Sequence, residues 1–218
     1  SVFAQNYHSA YLMYPLIKPH GASNSGLLTF SNQAVSWAFR RSLPIATDFK
    51  KFLDLDRCYS IAHIPMENGK ELVLINVHLS AYGTDASQGN AQLEKLLTDM
   101  KAEYDKGNYV ICGGDFNHDF TGNSVSTFNP GKEESFSWCQ PFPEQILPEG
   151  ITRCIDYAEG MTPSTRNTDI PYSEDSFTVI LDGFIVSDNV SCKYVQNIDT
   201  GFAYTDHNPV LMKFVLEQ

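Results

Sequence analysis

A short polar segment follows an apolar run in the stretch "VICGGDFNHDF" (110–120). Gly113 and Gly114 let the backbone turn there and approach a ligand closely. Asp115 and Asn117 stand two residues apart, so an extended segment would aim both side chains the same way. A carboxylate can hold or deprotonate a water and an amide can donate to a phosphoryl oxygen, so the pair suits a metal-bound phosphate. The alternative is an ordinary Asx turn after a strand.

Asp182 interrupts an apolar strand in "VILDGFIVS" (179–187). Both faces of that strand are apolar, which is typical of a central strand. A lone carboxylate is costly to bury there unless a cation or a hydrogen-bond donor pairs with it. The alternative is that Gly183 marks a bulge and Asp182 points into solvent.

His207, in "TDHNPV" (205–210), is the candidate partner for that carboxylate. Contact with Asp182 would orient the imidazole ring and favour its charged form. Asp206 would then be available to ligate a cation. The alternative is a polar loop that leads into an edge strand.

His78 lies late in the predicted strand "LVLINVHLS" (72–80). Strand alternation places it on a different face from the apolar side chains of Val73, Ile75, Val77 and Leu79. A histidine in this position is either catalytic or simply satisfied by hydrogen bonds in the core or at an edge. His78, Asp115, Asp182 and His207 would all stand at the ends of separate strands, as expected of a site built across a sheet edge.

Residues that could contact a substrate are weaker candidates. Arg166, in "STRN", lies in a long loop and could grip a phosphate, as could Arg40, Arg41 and Arg153. Taken singly, each arginine is better explained as a surface charge. Tyr82, just past His78, could stack on a base or sugar, or could serve packing.

The elements that must position these residues are mainly strands, with one clear helix. In 88–106 the side chains of Leu93, Leu96, Leu97, Met100 and Tyr104 recur at helical spacing. Segment 118–176 is rich in loop-forming residues and is predicted to be irregular. The predicted strands are 1–5, 26–31, 34–39, 58–64, 72–80, 109–112, 177–187 and 209–216.

Composition limits the possible functions. The 218 residues suit one domain, and 42% hydrophobic residues suffice for a core. A net charge of −11 disfavours a broad nucleic-acid surface unless metal or a local basic patch intervenes. The five cysteines form no CxxC, which argues against a disulfide framework and a zinc cage. No apolar run approaches the ~20 residues of a membrane span, and no signal peptide is visible.

Four motifs together resemble the endonuclease/exonuclease/phosphatase superfamily, which includes deoxyribonuclease I. They are "NVHL" (76–79), "GGDFN" (113–117), "LDGFIVS" (181–187) and "TDHNPV" (205–210), in the order found in the family. The resemblance runs across nearly the whole chain. It implies an α/β fold, a four-layer sandwich with two packed mixed β-sheets and helices outside. It also implies hydrolysis of a phosphoester with magnesium or manganese.

The resemblance assigns a role to each matched residue. His207 would help to activate the attacking water or contact the scissile phosphate, with Asp182 orienting it. Asp115 would position or deprotonate the water. The remaining roles are to hold a phosphoryl oxygen (Asn117), to stabilise the transition state or protonate the leaving oxygen (His78), and to bind metal (Asp206).

One departure from the family pattern concerns its opening. The family begins with a strand that carries an Asn, followed by a Gln-Glu pair whose Glu is a principal metal ligand, and this chain has no Gln-Glu pair. We expect a single domain over 1–218 that lacks the family's N-terminal strand, helix and Gln-Glu motif. Such a fragment could expose a sheet edge and self-associate through it; no stable protein partner is implied.

Three functions stay open from the sequence. The first is a phosphodiesterase or nuclease acting on nucleic acid. The second is a phosphatase or phospholipase acting on lipid or inositol phosphates. The third is a binding module that has lost catalysis. The compartment is also open, although relatives of this type are often exported or tethered to a membrane.

Overall fold

The computed structural model describes most of the chain, namely residues 1–8, 25–45, 55–81, 87–131, 139–157, 160–168 and 171–217. Tyr82 lies outside the described residues. Two α-helices are present among them, α1 (Ser87–Tyr104) and α2 (Ser124–Phe128). The strands are β1 (Val2–Gln5), β2 (Tyr7–His8), β3 (Gly26–Thr29), β4 (Trp37–Ser42), β5 (Leu55–Asp56), β6 (Cys58–Pro65), β7 (Glu71–His78), β8 (Tyr109–Asp115), β9 (Ile151–Arg153), β10 (Thr165–Arg166), β11 (Thr178–Val179), β12 (Asp182–Ser187), β13 (Val190–Asn197) and β14 (Val210–Leu216).

A six-stranded mixed sheet in the order β4-β6-β7-β8-β12-β9 forms the centre of the fold. Strands β7 and β8 are parallel, and α1 connects them, as a parallel pair requires a crossover. The other neighbours in the sheet are antiparallel. Strands β7, β8 and β12 bring three candidate residues to the same end of this sheet.

Helix α1 covers one face of the large sheet. Its stripe of Leu93, Leu96, Leu97 and Met100 is at most 2% exposed and belongs to the same core as Val73 and the other inward residues of β7. The helix ends before Gly107, which has φ +87° and whose N–H donates to the Tyr104 carbonyl at 2.8 Å. The helix predicted over 88–106 is confirmed.

A second β layer lies on the other face of the large sheet. It consists of two antiparallel ladders, β1 with β3 and β13 with β14. The Asn76 side chain of β7 donates to Leu28 O at 3.3 Å and Thr29 Oγ1 at 3.2 Å, which ties β3 to this face. A cavity of about 670 Å³ separates β3 from the start of β14, and its lining includes Gly113, Asp182 and Val210.

Several predicted strands differ from the structure at their ends. The strand predicted over 34–39 is Trp37–Ser42, because Arg40 and its neighbours pair with β6 and Arg40 donates to Gln5 O at 2.6 Å. The strand predicted over 177–187 is two strands, β11 and β12. Between β11 and β12, the backbone N–H groups of Ile180 and Leu181 donate to serine hydroxyls and not to the carbonyls of a neighbouring strand.

Two strands of three or more residues were missed by the sequence. Val190–Asn197 is strand β13, which forms because it pairs along its length with β14. Ile151–Arg153 is β9, an edge strand of the large sheet inside the segment predicted to be irregular. The remainder of 118–176 that the structure describes holds only short elements, including α2 and β10.

Three of the arginines considered for phosphate binding have structural roles. Arg40 holds the Gln5 carbonyl, and Arg41 donates from Nε and Nη2 to Asp99, each at 3.0 Å. Arg153 is 8% exposed and contacts the Phe120 carbonyl and Glu144. In the part of the chain that the structure describes, no helix is both long and apolar enough to cross a membrane.

Candidate active site

Strand register aligns three of the candidate residues at one end of the large sheet. In β7 and β8, His78 pairs with Asp115, and in β8 and β12, Asp115 pairs with Asp182. Paired residues on neighbouring strands point to the same face, so the three side chains converge. A bridge between Thr165 and His207 places the fourth residue beside them, although His207 lies in the connection before β14.

The distances show a compact group of acids and imidazoles. His207 Nδ1 lies 2.8 Å from Asp182 Oδ2, and His207 Nε2 lies 3.9 Å from Asp115 Oδ2. His78 Nε2 lies 3.2 Å from that same Asp115 oxygen. Asp115 therefore lies between the rings of His78 and His207. Asp182 contacts the other ring nitrogen of His207, Nδ1.

Asp182 also accepts two hydroxyl hydrogen bonds that the sequence did not indicate. Ser164 Oγ and Thr165 Oγ1 each donate to Asp182 Oδ2 at 2.8 Å, and Thr165 Oγ1 lies 3.2 Å from His207 Nδ1. The Ser164 hydroxyl in turn accepts the backbone N–H of Asp182 at 3.1 Å. These contacts fix the carboxylate and therefore the ring of His207.

The segment after Asp115 is the Asx turn that the sequence offered as one of two alternatives, and not an extended stretch. Asn117 has φ +51°, and its backbone N–H donates to Asp115 Oδ1 at 2.8 Å, which is an Asx turn. The left-handed conformation suits asparagine, whose short polar side chain tolerates it. Asn117 Nδ2 donates to Leu79 O at 2.8 Å, and one amide hydrogen remains for another acceptor.

The carboxyl group of Asp115 holds its proton unusually tightly. Burial, followed by the negative charge of Asp182, raises its pKa to about 7, against the opposing effects of His207 and of the Asn117 N–H. A carboxyl group with this pKa can accept a proton near neutral pH.

The surroundings shift the pKa values of the two histidines in opposite directions. Burial disfavours charge on His207, but the hydrogen bond and charge of Asp182, with Asp115 and Asp206, outweigh it and raise the pKa to about 9. Burial, the Arg57 guanidinium and the charge of His207 lower the pKa of His78 below its ordinary value. At neutral pH, His207 is therefore cationic and His78 is neutral.

The other predicted residues lie around this group. Asp206 is half-buried, and its Oδ1 accepts from Thr205 Oγ1 at 3.3 Å, while its backbone carbonyl accepts from the Arg166 N–H at 3.0 Å. Arg166 Nη1 donates to Asn167 O at 2.9 Å. Arg57, between β5 and β6, was not considered from the sequence, because nothing in its local pattern marks it. Its charge nevertheless acts on both His78 and Asp115.

The donor set fits a divalent cation. Asp115, Asp182 and His207 each offer a ligand atom, and these atoms lie within 4.8 Å of one another. Two carboxylates beside an imidazole suit magnesium or manganese better than a soft metal. Asp206 is not a member of this group in the structure, although its charge reaches His207.

Comparison with known proteins gives matches only at the level of structure. No protein-family model and no curated protein matches the sequence. Among solved structures, a protein from Beutenbergia cavernae named endonuclease/exonuclease/phosphatase is similar over 99% of this chain and 53% of its own, with 16% identity and a TM-score of 0.65. This chain thus spans about half of that protein.

Two further structures give the same result. ANGEL2, described as a 2',3'-cyclic phosphatase, matches 83% of this chain and 66% of its own, with 14% identity and a TM-score of 0.52. A humanised TDP2 of D. rerio matches 81% of this chain and 66% of its own, with 18% identity and a TM-score of 0.52. At these identities the likeness shows the fold, so the α/β fold expected from the motifs is confirmed.

Proposed function

Because the chain has the deoxyribonuclease I-like fold of the endonuclease/exonuclease/phosphatase superfamily, we propose that it is a metal-dependent phosphoester hydrolase. The observation that carries the proposal is the convergence of Asp115, Asp182 and His207, with His78 beside them, at one rim of the sheet. Each of these groups comes from a different strand or loop, and together they supply a base, a cation and a neutral donor.

The protonation states separate the roles that the motifs left open. His207 is charged near neutral pH, so it stabilises negative charge on a phosphoryl oxygen and does not act as the base. Asp182 holds the ring of His207 through Nδ1 and leaves Nε2 directed towards Asp115 and the substrate. Asp115 takes the proton of the attacking water, because its pKa lies near the working pH.

The other two residues act on the substrate as hydrogen-bond donors. A neutral His78 donates to the oxygens of the pentacoordinate transition state or to the leaving oxygen. The free amide hydrogen of Asn117 donates to a phosphoryl oxygen, and the Leu79 carbonyl fixes that amide group. Because such donors are already oriented before the reaction begins, they do not have to reorganise during it.

A divalent metal fits this donor set. Magnesium or manganese would be held by the Asp115 and Asp182 carboxylates of this group, or by Asp206 beside it, together with waters and the substrate phosphate. The charged ring of His207 has no lone pair with which to bind a metal. When bound, it would neutralise charge on the phosphoryl oxygens and promote ionisation of water. Arg166 and Tyr82 are the residues that we propose to contact the rest of the substrate.

A phosphodiester of the nucleic-acid type is the substrate class that we favour over a lipid or inositol phosphate. ANGEL2, with the same fold, is described as a 2',3'-cyclic phosphatase, whose substrate is a cyclic diester. The alternatives are a lipid or inositol phosphatase or phospholipase of the same fold, and a catalytically impaired binding module.

The test is hydrolysis of bis-p-nitrophenyl phosphate by the purified chain with Mg²⁺ or Mn²⁺, and with EDTA as the metal-free control. We expect turnover with metal, none with EDTA, and none for Asp115→Asn with either. Metal-independent turnover would contradict the proposal. A comparison of a 2',3'-cyclic nucleotide, plasmid DNA and sphingomyelin then identifies the substrate class.

A further inference from the structure

Three sulfur atoms meet away from the catalytic rim, where β9 ends against the second β layer. Cys154 Sγ donates to Met212 Sδ at 3.5 Å. The thiol of Cys154 also shares a side-chain hydrogen bond with Cys192. Each sulfur comes from a different element: Cys154 follows β9, Cys192 lies on β13 and Met212 lies on β14.

The backbone explains why the two cysteines face each other. A parallel bridge joins Tyr157 to Val195. Cys154 and Cys192 each precede these bridge residues by three positions. A β-bulge between Cys192 and Tyr194 turns the Cys192 side chain to the face of β13 that carries Val195. Met212 pairs with Val195 on the other side of β13, which brings the thioether to the same group.

The three sulfur-bearing side chains differ in their exposure to solvent. Cys154 is 5% exposed, whereas Cys192 and Met212 are half-buried, so an ion has a route from solvent. In the described ranges, the only group of three or more potential ligands among His, Cys, Asp and Glu is Asp115, Asp182 and His207. Among the residues that the structure describes, no His, Asp or Glu therefore joins the sulfur group to complete a tetrahedral zinc site.

We propose that Cys154, Cys192 and Met212 form a site for one soft monovalent cation of the Cu⁺ type. Thiolate and thioether sulfurs are the ligands that Cu⁺ selects. With metal–sulfur bonds of about 2.3 Å, ligands in a trigonal site lie roughly 4 Å apart, so the observed contact needs only a small opening. Binding displaces both thiol protons to solvent and leaves the oxidation state of the metal unchanged, so no electron acceptor is needed.

A disulfide between the two cysteines is the competing use of this group. Disulfide exchange requires a thiolate, and burial raises the pKa of Cys154 well above the ordinary thiol value. A bound cation compensates the thiolate charge, whereas exchange with an external disulfide does not. The Met212 sulfur also has no role in a disulfide, but it is a natural third ligand.

The test is an anaerobic Cu⁺ titration of the reduced full chain in competition with bicinchoninate, read by the absorbance of the chelator complex. The wild type should bind one Cu⁺ that Cys154→Ser and Cys192→Ser do not retain. Met212→Leu nearly conserves volume and should fold, yet its affinity should fall by at least about tenfold, as for loss of a group that supports a metal ligand. Cys139→Ser removes a buried thiol of a separate cluster and should bind as the wild type does.

A thermal melt supplies a second readout, because a ligand that binds only the folded chain raises its melting temperature. Cu⁺ should raise it for the wild type and Cys139→Ser, and less for Met212→Leu. Equal affinities for the wild type, Cys192→Ser and Met212→Leu would overturn the proposal. So would a Cys154–Cys192 disulfide formed by oxidised glutathione in a chain whose reduced form does not take up Cu⁺.

Discussion

The two faces of strand β7 differ sharply although their residues alternate along one segment. Val73, Ile75 and Val77 are at most 3% exposed and pack in the core with α1. Asn76 and His78, on the opposite face, are half-buried and reach β3 and Asp115. Because the apolar face alone anchors the strand in the core, the opposite face can carry polar side chains.

The apolar face also determines the geometry of the polar one. A slip of β7 by one residue against β8 would exchange its faces and move His78 away from Asp115. Burial of Val73 and Val77 against α1 opposes such a slip. We therefore expect substitutions on the two faces to have separable effects on stability and on activity.

The largest expected effect is on the polar side. His207→Ala should lower turnover of bis-p-nitrophenyl phosphate by about 100- to 10,000-fold, as for loss of a proton-transfer or charge-stabilising group. The unfolding midpoint in urea should fall only modestly, because the ring is partly exposed and the Ser164 and Thr165 hydroxyls still satisfy Asp182. Lys213→Ala, on an exposed position of β14, is the matched control. Wild-type turnover by His207→Ala would remove that residue from the mechanism.

The next effect is on the apolar side. Leu96→Ala, at a position that is 0% exposed on α1, should lower the free energy of unfolding by about 2–5 kcal/mol. Its turnover per folded molecule should stay near that of the wild type. The measurement is urea unfolding together with activity below the transition. A loss of activity in fully folded protein would show that the two faces are not separable.

The sequence predicted the apolar side and the identity of the polar residues. Helix α1 and strands β6 to β8 follow from strong periodicity, which reports burial directly. His78, Asp115 and Asp182 interrupt or end an apolar run and His207 precedes one, and the structure brings the four together. Their catalytic roles remain predictions.

What the sequence did not predict depends on tertiary pairing. Nothing in "STRN" indicates that Ser164 and Thr165 hold Asp182, because β10 meets that carboxylate only after the chain folds. Strand β13 was missed because its polar positions hide the alternation, and its pairing with β14 decides its structure. The turn at Asn117 is a local choice, which the sequence left open between an extended segment and an Asx turn and which the hydrogen bond to the Asp115 carboxylate decides.

A smaller effect is the pH dependence of stability that Asp115 gives to the metal-free protein. The folded pKa of about 7 lies above the ordinary value of roughly 3.9, so the folded chain binds more protons between these values. The contribution of Asp115 to the free energy of unfolding is fully present below the pKa of the unfolded chain. It is lost as pH rises through the higher pKa of the folded chain. Asp115→Asn should flatten this part of the stability profile, measured by urea unfolding in EDTA. An unchanged slope would contradict the raised pKa.

The smallest effect tests the comparison within β7 itself. Leu74→Ala, on the half-buried face, should cost only about 1 kcal/mol of unfolding free energy, because less apolar area leaves water there. Val73→Ala, its buried neighbour, is the matched variant and should cost more. Equal costs would show that the second β layer covers its face as completely as α1 does.

The central claim is that residues from distant parts of the chain form one electrostatically coupled site. The most direct measurement is the NMR titration of His207 in the metal-free wild type and in Asp182→Asn. The claim predicts a wild-type pKa of about 9 and a clearly lower value in the variant, because the carboxylate stabilises the charged ring. An ordinary histidine pKa in the wild type, unchanged by the substitution, would contradict it.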